Sequence, residues 1–136
     1  MRSLVTIAAA ALSTIVLAGG SEPPYFPRTP ECNNDLILRS VFSRFATYTP
    51  NVIGHPIAIV QIGNIGENRL ELKSRYWSVE RRYCYATVTT SDGRHRYLWY
   101  LIEHPFAFAG LGSSVNFCVS GLDPWYVNGA DCASLR

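Results

Sequence analysis

The chain has 136 residues, of which 48% are hydrophobic and 16% are charged, and its formal net charge is +2. A chain of this length holds one domain, and this balance of apolar and charged residues excludes an intrinsically disordered protein. The small net charge excludes a dedicated polycationic arm, so we expect no nucleic-acid partner.

Residues 1–20 have the features of a secretory signal peptide. Arg2 precedes an uncharged apolar run from Leu4 to Ala18, and Ala18 and Gly20 are small enough for a signal peptidase. The run falls at or below the roughly 17 to 25 residues that span a bilayer. We therefore predict cleavage between Gly20 and Ser21, no stable membrane anchor afterwards, and a periplasmic or secreted protein.

Four cysteines remain after this cleavage, namely Cys32, Cys84, Cys118 and Cys132. An even number in an exported chain predicts two disulfides, for which three pairings exist. We favour Cys32 with Cys84 and Cys118 with Cys132, because the second pair closes a short loop rich in turn-forming residues. No CxxC pair occurs, so the spacing supports neither a thioredoxin-like redox site nor a zinc knuckle.

The mature chain begins with a proline-rich lead-in, residues 21–31, followed by a single predicted domain, residues 32–136. Asn33 or Asn34 can cap a helix of about 33–47, whose apolar stripe recurs at helical spacing. That stripe comprises Ile37, Val41, Phe45 and Tyr48. We expect Pro50 to end the helix, because proline disfavours helical backbone in the residue before it.

Beyond Pro56 the apolar pattern becomes that of extended strands. Five segments fit this pattern: 57–62, 69–74, 81–90, 94–103 and 115–119. The predicted fold is therefore α+β, with one N-terminal helix packed on a curved antiparallel sheet of four to five strands and braced by two disulfides.

The dipeptide Asp92-Gly93 predicts a hairpin with a two-residue type I′ turn. Ser91 then pairs with Arg94, and Cys84 lies opposite Leu101. This register places Cys84, Ala86, Val88, Tyr97, Trp99 and Leu101 on one face, which we expect to be the core. It places Tyr83, Tyr85, Thr87, Thr89, Arg94, Arg96, Leu98 and Tyr100 on the other face.

One helix followed by an antiparallel meander resembles the layout of cystatin-like and NTF2-like proteins. The segments Trp99–Glu103 and Phe117–Trp125 resemble parts of small exported bacterial proteins. These resemblances imply secretion and a compact α+β body, and they imply no catalytic residues.

Cations and aromatic residues are interleaved between Arg69 and Arg96, where seven Arg or Lys residues face three acids. Aromatic rings supply contact area at low entropic cost, and guanidinium groups bind carboxylates or phosphates. The candidate binding residues are Arg81, Tyr83, Tyr85, Arg94, Arg96 and Tyr100. The alternative is a solvated sheet face on which arginines shield the tyrosines.

The only carboxylate pair we single out for catalysis is Glu103 with Asp123, which could serve a glycosidase if the two groups faced one cleft. Asp123 precedes a proline, however, where a carboxylate commonly caps a turn. His55, His95 and His104 lie in different segments without metal-ligand spacing. We therefore expect no metal and no cofactor.

These features predict an exported, non-catalytic binding module for an acidic protein or a glycan of the cell envelope. The first alternative is a small hydrolase of envelope polymers that uses acidic residues. A purely structural envelope component is the second.

Overall fold

A computed structural model of the chain describes residues 19–20, 28–105 and 112–136. The elements are helix α1 (Asp35–Val52), strands β1 (Ile59–Glu71), β2 (Glu80–Thr90), β3 (His95–His104) and β4 (Ser114–Val119), and a short 3-10 helix, Ala130–Leu135. One helix and a four-stranded antiparallel sheet confirm the predicted α+β class. The predicted signal peptide and its cleavage site lie outside the described residues, apart from Gly19 and Gly20.

Helix α1 begins at an asparagine cap and buries one stripe. The Asn34 side chain accepts hydrogen bonds from the backbone N–H groups of Leu36 and Ile37, at 3.0 and 3.2 Å. These bonds satisfy donors that the first turn of a helix leaves unpaired. The predicted stripe is buried at Ile37, Val41 and Phe45 and continues to Thr49, while Tyr48 is half-buried.

The prediction that Pro50 ends the helix is wrong, because α1 continues through Pro50 to Val52. A proline in the last turn removes a single hydrogen bond, and Ile53 N–H still donates to Thr49 O at 2.8 Å. The buried Thr49 hydroxyl both donates to Ile57 O and accepts from Ile57 N–H, each at 2.9 Å. These contacts hold the final turn against the start of the sheet.

The strands pair in the order β1-β2-β3-β4. The predicted strands 57–62 and 69–74 are not separate, because β1 runs through both as one edge strand. Its pairing with β2 shifts register at three points, including the stretch between Gly63 and Gly66. Bulges of this kind let a long strand continue through turn-forming residues such as Asn64, which has a φ of 49°.

The β2–β3 hairpin has a three-residue loop, and its predicted register is wrong by one residue. Thr90 N–H donates to Arg94 O at 2.9 Å, and Gly93 N–H donates to Thr90 O at 2.8 Å. Cys84 therefore lies opposite Tyr100 and not Leu101. Gly93 has a φ of 80°, the left-handed conformation that ends a three-residue loop of this type.

This shift leaves the faces of β2 as predicted but exchanges those of β3, because side chains alternate along a strand. Cys84, Ala86 and Val88 lie in the core beneath α1, as predicted. Their buried partners on β3 are Leu98, Tyr100 and Ile102, which replace the predicted set Tyr97, Trp99 and Leu101.

A second, smaller core lies on the opposite side of the sheet. There the C-terminal segment packs Cys132 and Leu135 against Tyr83, Leu101 and Cys118, with Trp99 at the margin. The same segment contributes Leu122 to the helix-side core. It therefore passes from one side of the sheet to the other after β4.

Both favoured disulfides are confirmed: Cys32 bonds Cys84, and Cys118 bonds Cys132. Two disulfides in so short a chain indicate an oxidising, non-cytoplasmic compartment. Among the helices that the structure describes, none is long and apolar enough to cross a membrane.

The end of the predicted lead-in lies against the sheet. The buried Glu80 carboxylate accepts hydrogen bonds from the backbone N–H groups of Arg28 and Thr29, at 2.7 and 3.1 Å. The Arg82 guanidinium pairs with Glu67 and donates to Thr29 O at 3.3 Å. Contacts with the folded body therefore begin before Cys32.

Candidate functional site

The sheet surface turned away from α1 is the candidate site, and we call it the outer face. On β1, β2 and β3 its side chains come from alternate positions along each strand. They are Arg69 and Glu71 on β1, Arg81, Tyr83, Tyr85 and Thr87 on β2, and Tyr97, Trp99, Leu101 and Glu103 on β3. The C-terminal segment covers Tyr83 and Leu101, whereas the side that includes Tyr97 stays open.

Three aromatic rings form a continuous strip across this face. The ring centroids of Tyr85 and Trp99 lie 6.1 Å apart, as do those of Trp99 and Tyr97, with interplanar angles of 53° and 33°. Tyr97 is 57% exposed, and the other two rings are half-buried. We call these residues the aromatic strip.

Gly66 on β1 provides the space in which the Tyr85 ring lies. A Cβ atom at Gly66 would overlap the Tyr85 hydroxyl oxygen and would stand 2.5 Å from Cζ of the same ring. At Gly63, a Cβ atom would meet its nearest neighbour, Thr87 Oγ1, at 3.8 Å, an ordinary contact. The position of the first ring of the strip therefore depends on one particular glycine.

Acidic side chains neutralise the cations of the outer face. The Arg81 guanidinium lies 3.2 Å from Glu103 and 4.0 Å from Glu71, and Arg69 lies 3.0 Å from Glu71. Arg69 also covers the Tyr83 ring at 3.7 Å. These pairs leave the described part of this face with little net charge to offer an acidic partner.

At the margin of the strip, the Arg136 guanidinium lies 5.9 Å from the centre of the Trp99 ring. The same guanidinium lies 3.8 Å from the Asp131 carboxylate. This cation therefore also has an acidic partner.

Three of the predicted binding residues, Tyr100, Arg96 and Arg94, are not part of the outer face. Tyr100 is fully buried beneath α1, where its hydroxyl donates to Cys32 O at 2.6 Å and burial raises its pKa. Arg96 lies on the helix side and donates to Asp92 at 2.9 Å. The one-residue register shift explains all three corrections. Arg94 is exposed beside the hairpin turn, and Arg81, Tyr83 and Tyr85 occupy the predicted face.

The Asp92 carboxylate organises the hairpin turn. It accepts hydrogen bonds from the Thr90 hydroxyl at 2.5 Å, the Arg96 guanidinium at 2.9 Å and the Arg94 backbone N–H at 3.3 Å. The hydrogen bond from Thr90 contributes most to lowering the pKa of Asp92 from 3.8 to about 2, and the interactions with Arg96 and Arg94 lower it further. The Arg96 guanidinium therefore stabilises the hairpin turn.

The two candidate catalytic carboxylates are not brought together. Glu103 binds Arg81 and lies opposite Ser114 at the start of β4. Asp123 lies beside Cys118, four residues further along β4, a distance of roughly 13 Å along a strand. Asp123 accepts hydrogen bonds from the N–H groups of Val127 and Asn128, at 3.1 and 2.9 Å, as a turn cap does.

The three histidines are dispersed. His55 is exposed, His95 Nδ1 lies 3.1 Å from the Thr89 hydroxyl, and His104 Nδ1 lies 3.0 Å from the Ser113 hydroxyl. Within the described ranges, no group of three or more His, Cys, Asp or Glu side chains could hold a metal ion.

A cleft of about 160 Å³ opens between α1 and β4. Its aromatic wall is formed by Phe45, Tyr48 and Phe117, whose centroids are 6.4 Å apart. The Tyr48 hydroxyl donates to Leu122 O at 2.7 Å, and burial, followed by the nearby Asp123 charge, raises its pKa. The cleft thus contains hydrogen-bonding groups that already have partners.

The sequence analysis placed Tyr97 and Trp99 in the core, named Arg69 only as the start of the cationic stretch, and missed Gly66 as part of the outer face. The apolar run of β3 is unbroken, so its pattern does not distinguish the buried face of the strand from the outward one. The contribution of Gly66 depends on the bulged pairing of β1 with β2, which brings Gly66 opposite Tyr85.

No protein-family model matches this chain, and comparisons with curated proteins and with solved structures find no significant similarity.

Proposed function

We propose that this protein is an exported, non-catalytic binding module of the cell envelope whose outer face binds a glycan. The signal-peptide pattern and the two disulfides support a periplasmic or secreted location. The aromatic strip is the observation that carries the proposal. Pyranose rings present polarised C–H groups that fit the electron-rich faces of tyrosine and tryptophan.

The charges of the outer face favour a glycan over an acidic protein. An acidic partner would have to displace Glu71 and Glu103 from Arg69 and Arg81, so the attraction gained would be offset by the pairs lost. A sugar chain needs aromatic rings, which the strip supplies, and polar side chains beside them, where Asn64 and Thr87 lie hydrogen-bonded to each other at 3.0 Å. The engagement of Glu103 and Asp123 in an ion pair and a turn cap favours binding over hydrolysis.

Two glycine variants provide a matched test of this site. Gly66→Ala should push the Tyr85 ring out of the strip, whereas Gly63→Ala meets only ordinary contacts. Binding to soluble β-glucan, xylan and acidic polygalacturonate would be measured by calorimetry and by intrinsic tryptophan fluorescence. We expect wild type and Gly63→Ala to bind a neutral polysaccharide alike, and Gly66→Ala to bind at least about tenfold more weakly.

Thermal unfolding of each variant would show whether the fold survives. A Tyr97→Ala variant probes the other end of the strip without a backbone change, and it should also lose about tenfold in affinity. Equal binding by wild type, Gly66→Ala and Tyr97→Ala would contradict the proposal. Salt-sensitive binding of poly-glutamate without polysaccharide binding would favour the acidic protein, and release of new reducing ends would favour the hydrolase.

A further inference from the structure

The segment after β4 exposes three apolar side chains in succession. Trp125, Tyr126 and Val127 are 69%, 69% and 74% exposed. The sequence from Pro124 to Ala130 contains no charged residue. We call residues 124–128 the apolar loop.

This loop is held in place by hydrogen bonds at both ends. The Asp123 carboxylate accepts from the N–H groups of Val127 and Asn128, and Asp123 O accepts from Tyr126 N–H at 3.2 Å. Tyr126 has a φ of 52°, a left-handed conformation that costs energy for a residue with a bulky side chain. The side chains are therefore displayed by a defined backbone and not by a frayed end.

The size of the patch indicates what could cover it. Aromatic side chains bury about 150 to 250 Å² each, so Trp125 and Tyr126 at 69% exposure, together with the smaller Val127, leave a patch of roughly 300 to 450 Å². A stable protein interface or dimer needs about 800 Å² from each partner. Insertion of a few side chains into a bilayer interface requires no such area, and tryptophan and tyrosine are the residues most enriched there.

The charged groups around the loop neither attract nor repel lipid headgroups strongly. Asp131 lies 3.8 Å from Arg136, and the Asp123 carboxylate is occupied by backbone donors. The nearby Arg44 guanidinium lies over Phe117 at 5.3 Å and donates to Val115 O. Membrane contact through this loop would therefore depend on apolar insertion and only weakly on lipid charge.

We propose that the apolar loop inserts reversibly into the interface of a phospholipid bilayer, at a site separate from the outer face. The other exposed aromatic pair, Tyr76 and Trp77, differs in its setting. Lys73, Arg75 and Arg81 flank it, and the Arg81 guanidinium lies 5.6 Å from the Trp77 ring. Trp77 therefore provides an internal control with an exposed tryptophan outside the loop.

The test uses the oxidised protein in its exported form, its N-terminus determined by mass spectrometry. Co-sedimentation would be measured with phosphatidylcholine vesicles, with and without about a quarter phosphatidylglycerol. We expect similar partitioning into both. Trp125→Ala combined with Val127→Ala should lower the partition coefficient at least about tenfold, and Trp77→Ala should leave it unchanged.

A second measurement identifies which tryptophan enters the bilayer. Vesicles of brominated phosphatidylcholine should quench wild-type tryptophan fluorescence, and Trp125→Phe should remove most of this quenching while Trp77→Phe retains it. Gly66→Ala, which alters the outer face, should partition as wild type does. Absence of vesicle binding, equal partitioning of the double variant, or a dimer that the double variant abolishes would overturn the proposal.

Discussion

At the scale of the single residue, the side chain of Tyr100 joins the core to the N-terminal segment. Its ring is fully buried beneath α1, and its hydroxyl donates to the carbonyl oxygen of Cys32, whose side chain bonds Cys84. A buried carbonyl that loses its donor is left without water to replace it. One hydroxyl therefore stabilises the position of the segment that precedes α1.

Tyr100→Phe should lower the free energy of unfolding at neutral pH by about 1 to 3 kcal/mol, because it leaves this carbonyl unsatisfied. Burial raises the pKa of Tyr100 above its usual 10.0, so its contribution is complete below pH 10 and is lost as the pH rises further. Urea unfolding from pH 7 to pH 11 should show a shallower alkaline decline in the variant than in wild type.

Tyr76→Phe is the matched control, because Tyr76 is 82% exposed and should change neither quantity. A Tyr100→Phe protein with wild-type stability at both ends of this range would show that the hydroxyl makes no buried bond.

At the scale of the element, the β2–β3 hairpin determines which side chains reach the outer face. Its three-residue loop ends at Gly93, whose φ of 80° suits glycine and is tolerated by asparagine. Branched side chains are strongly disfavoured there. The loop sets the register that places Tyr97 and Trp99 outside and Tyr100 inside.

Gly93→Val should therefore destabilise the protein by about 1 to 3 kcal/mol, whereas Gly93→Asn should cost much less. Open space surrounds this glycine, so the difference reports backbone conformation and not a steric clash. Thermal melting of both variants beside wild type measures it. Equal melting temperatures for valine and asparagine would mean that the loop does not require the left-handed conformation.

At the scale of the whole molecule, the two disulfides act on opposite sides of the sheet. Cys32–Cys84 closes 52 residues and lies in the helix-side core, whereas Cys118–Cys132 closes 14 residues and holds the C-terminal segment on the outer side. Loop-closure entropy suggests stabilisation of about 4 and 3 kcal/mol, respectively. These values are comparable to the net stability of a small domain.

Paired alanine variants should separate the two roles. Removing Cys118 and Cys132 should raise hydrogen exchange in the C-terminal segment and around Leu101 while much of the helix-side core stays protected, because the two cores are distinct. Removing Cys32 and Cys84 should loosen α1 and the segment before it. Mass spectrometry of wild type after alkylation without reductant should find no labelled cysteine; two or more labelled cysteines would contradict this arrangement.

Local pattern was sufficient to predict much of this fold. The Asn34 cap and the stripe Ile37, Val41 and Phe45 identify α1, because both signals lie within a few residues of one another. The inward face of β2 was predicted correctly from the alternation of Cys84, Ala86 and Val88. The favoured disulfide pairing was also correct, since one loop is short and Cys84 faces the helix.

Tertiary structure decided the face of β3, the continuity of β1 and the composition of the outer face. Residues 97–102 are all apolar or aromatic, so alternation cannot distinguish the buried set Leu98, Tyr100 and Ile102 from the outward set Tyr97, Trp99 and Leu101. Each set would be buried in one of the two possible registers of the hairpin. The choice rests on a single residue in the hairpin loop, on packing beneath α1 and on the C-terminal segment that covers the other side. The sequence by itself therefore determined the fold class and favoured the correct disulfide pairing, whereas only the packed chain determined which rings meet solvent.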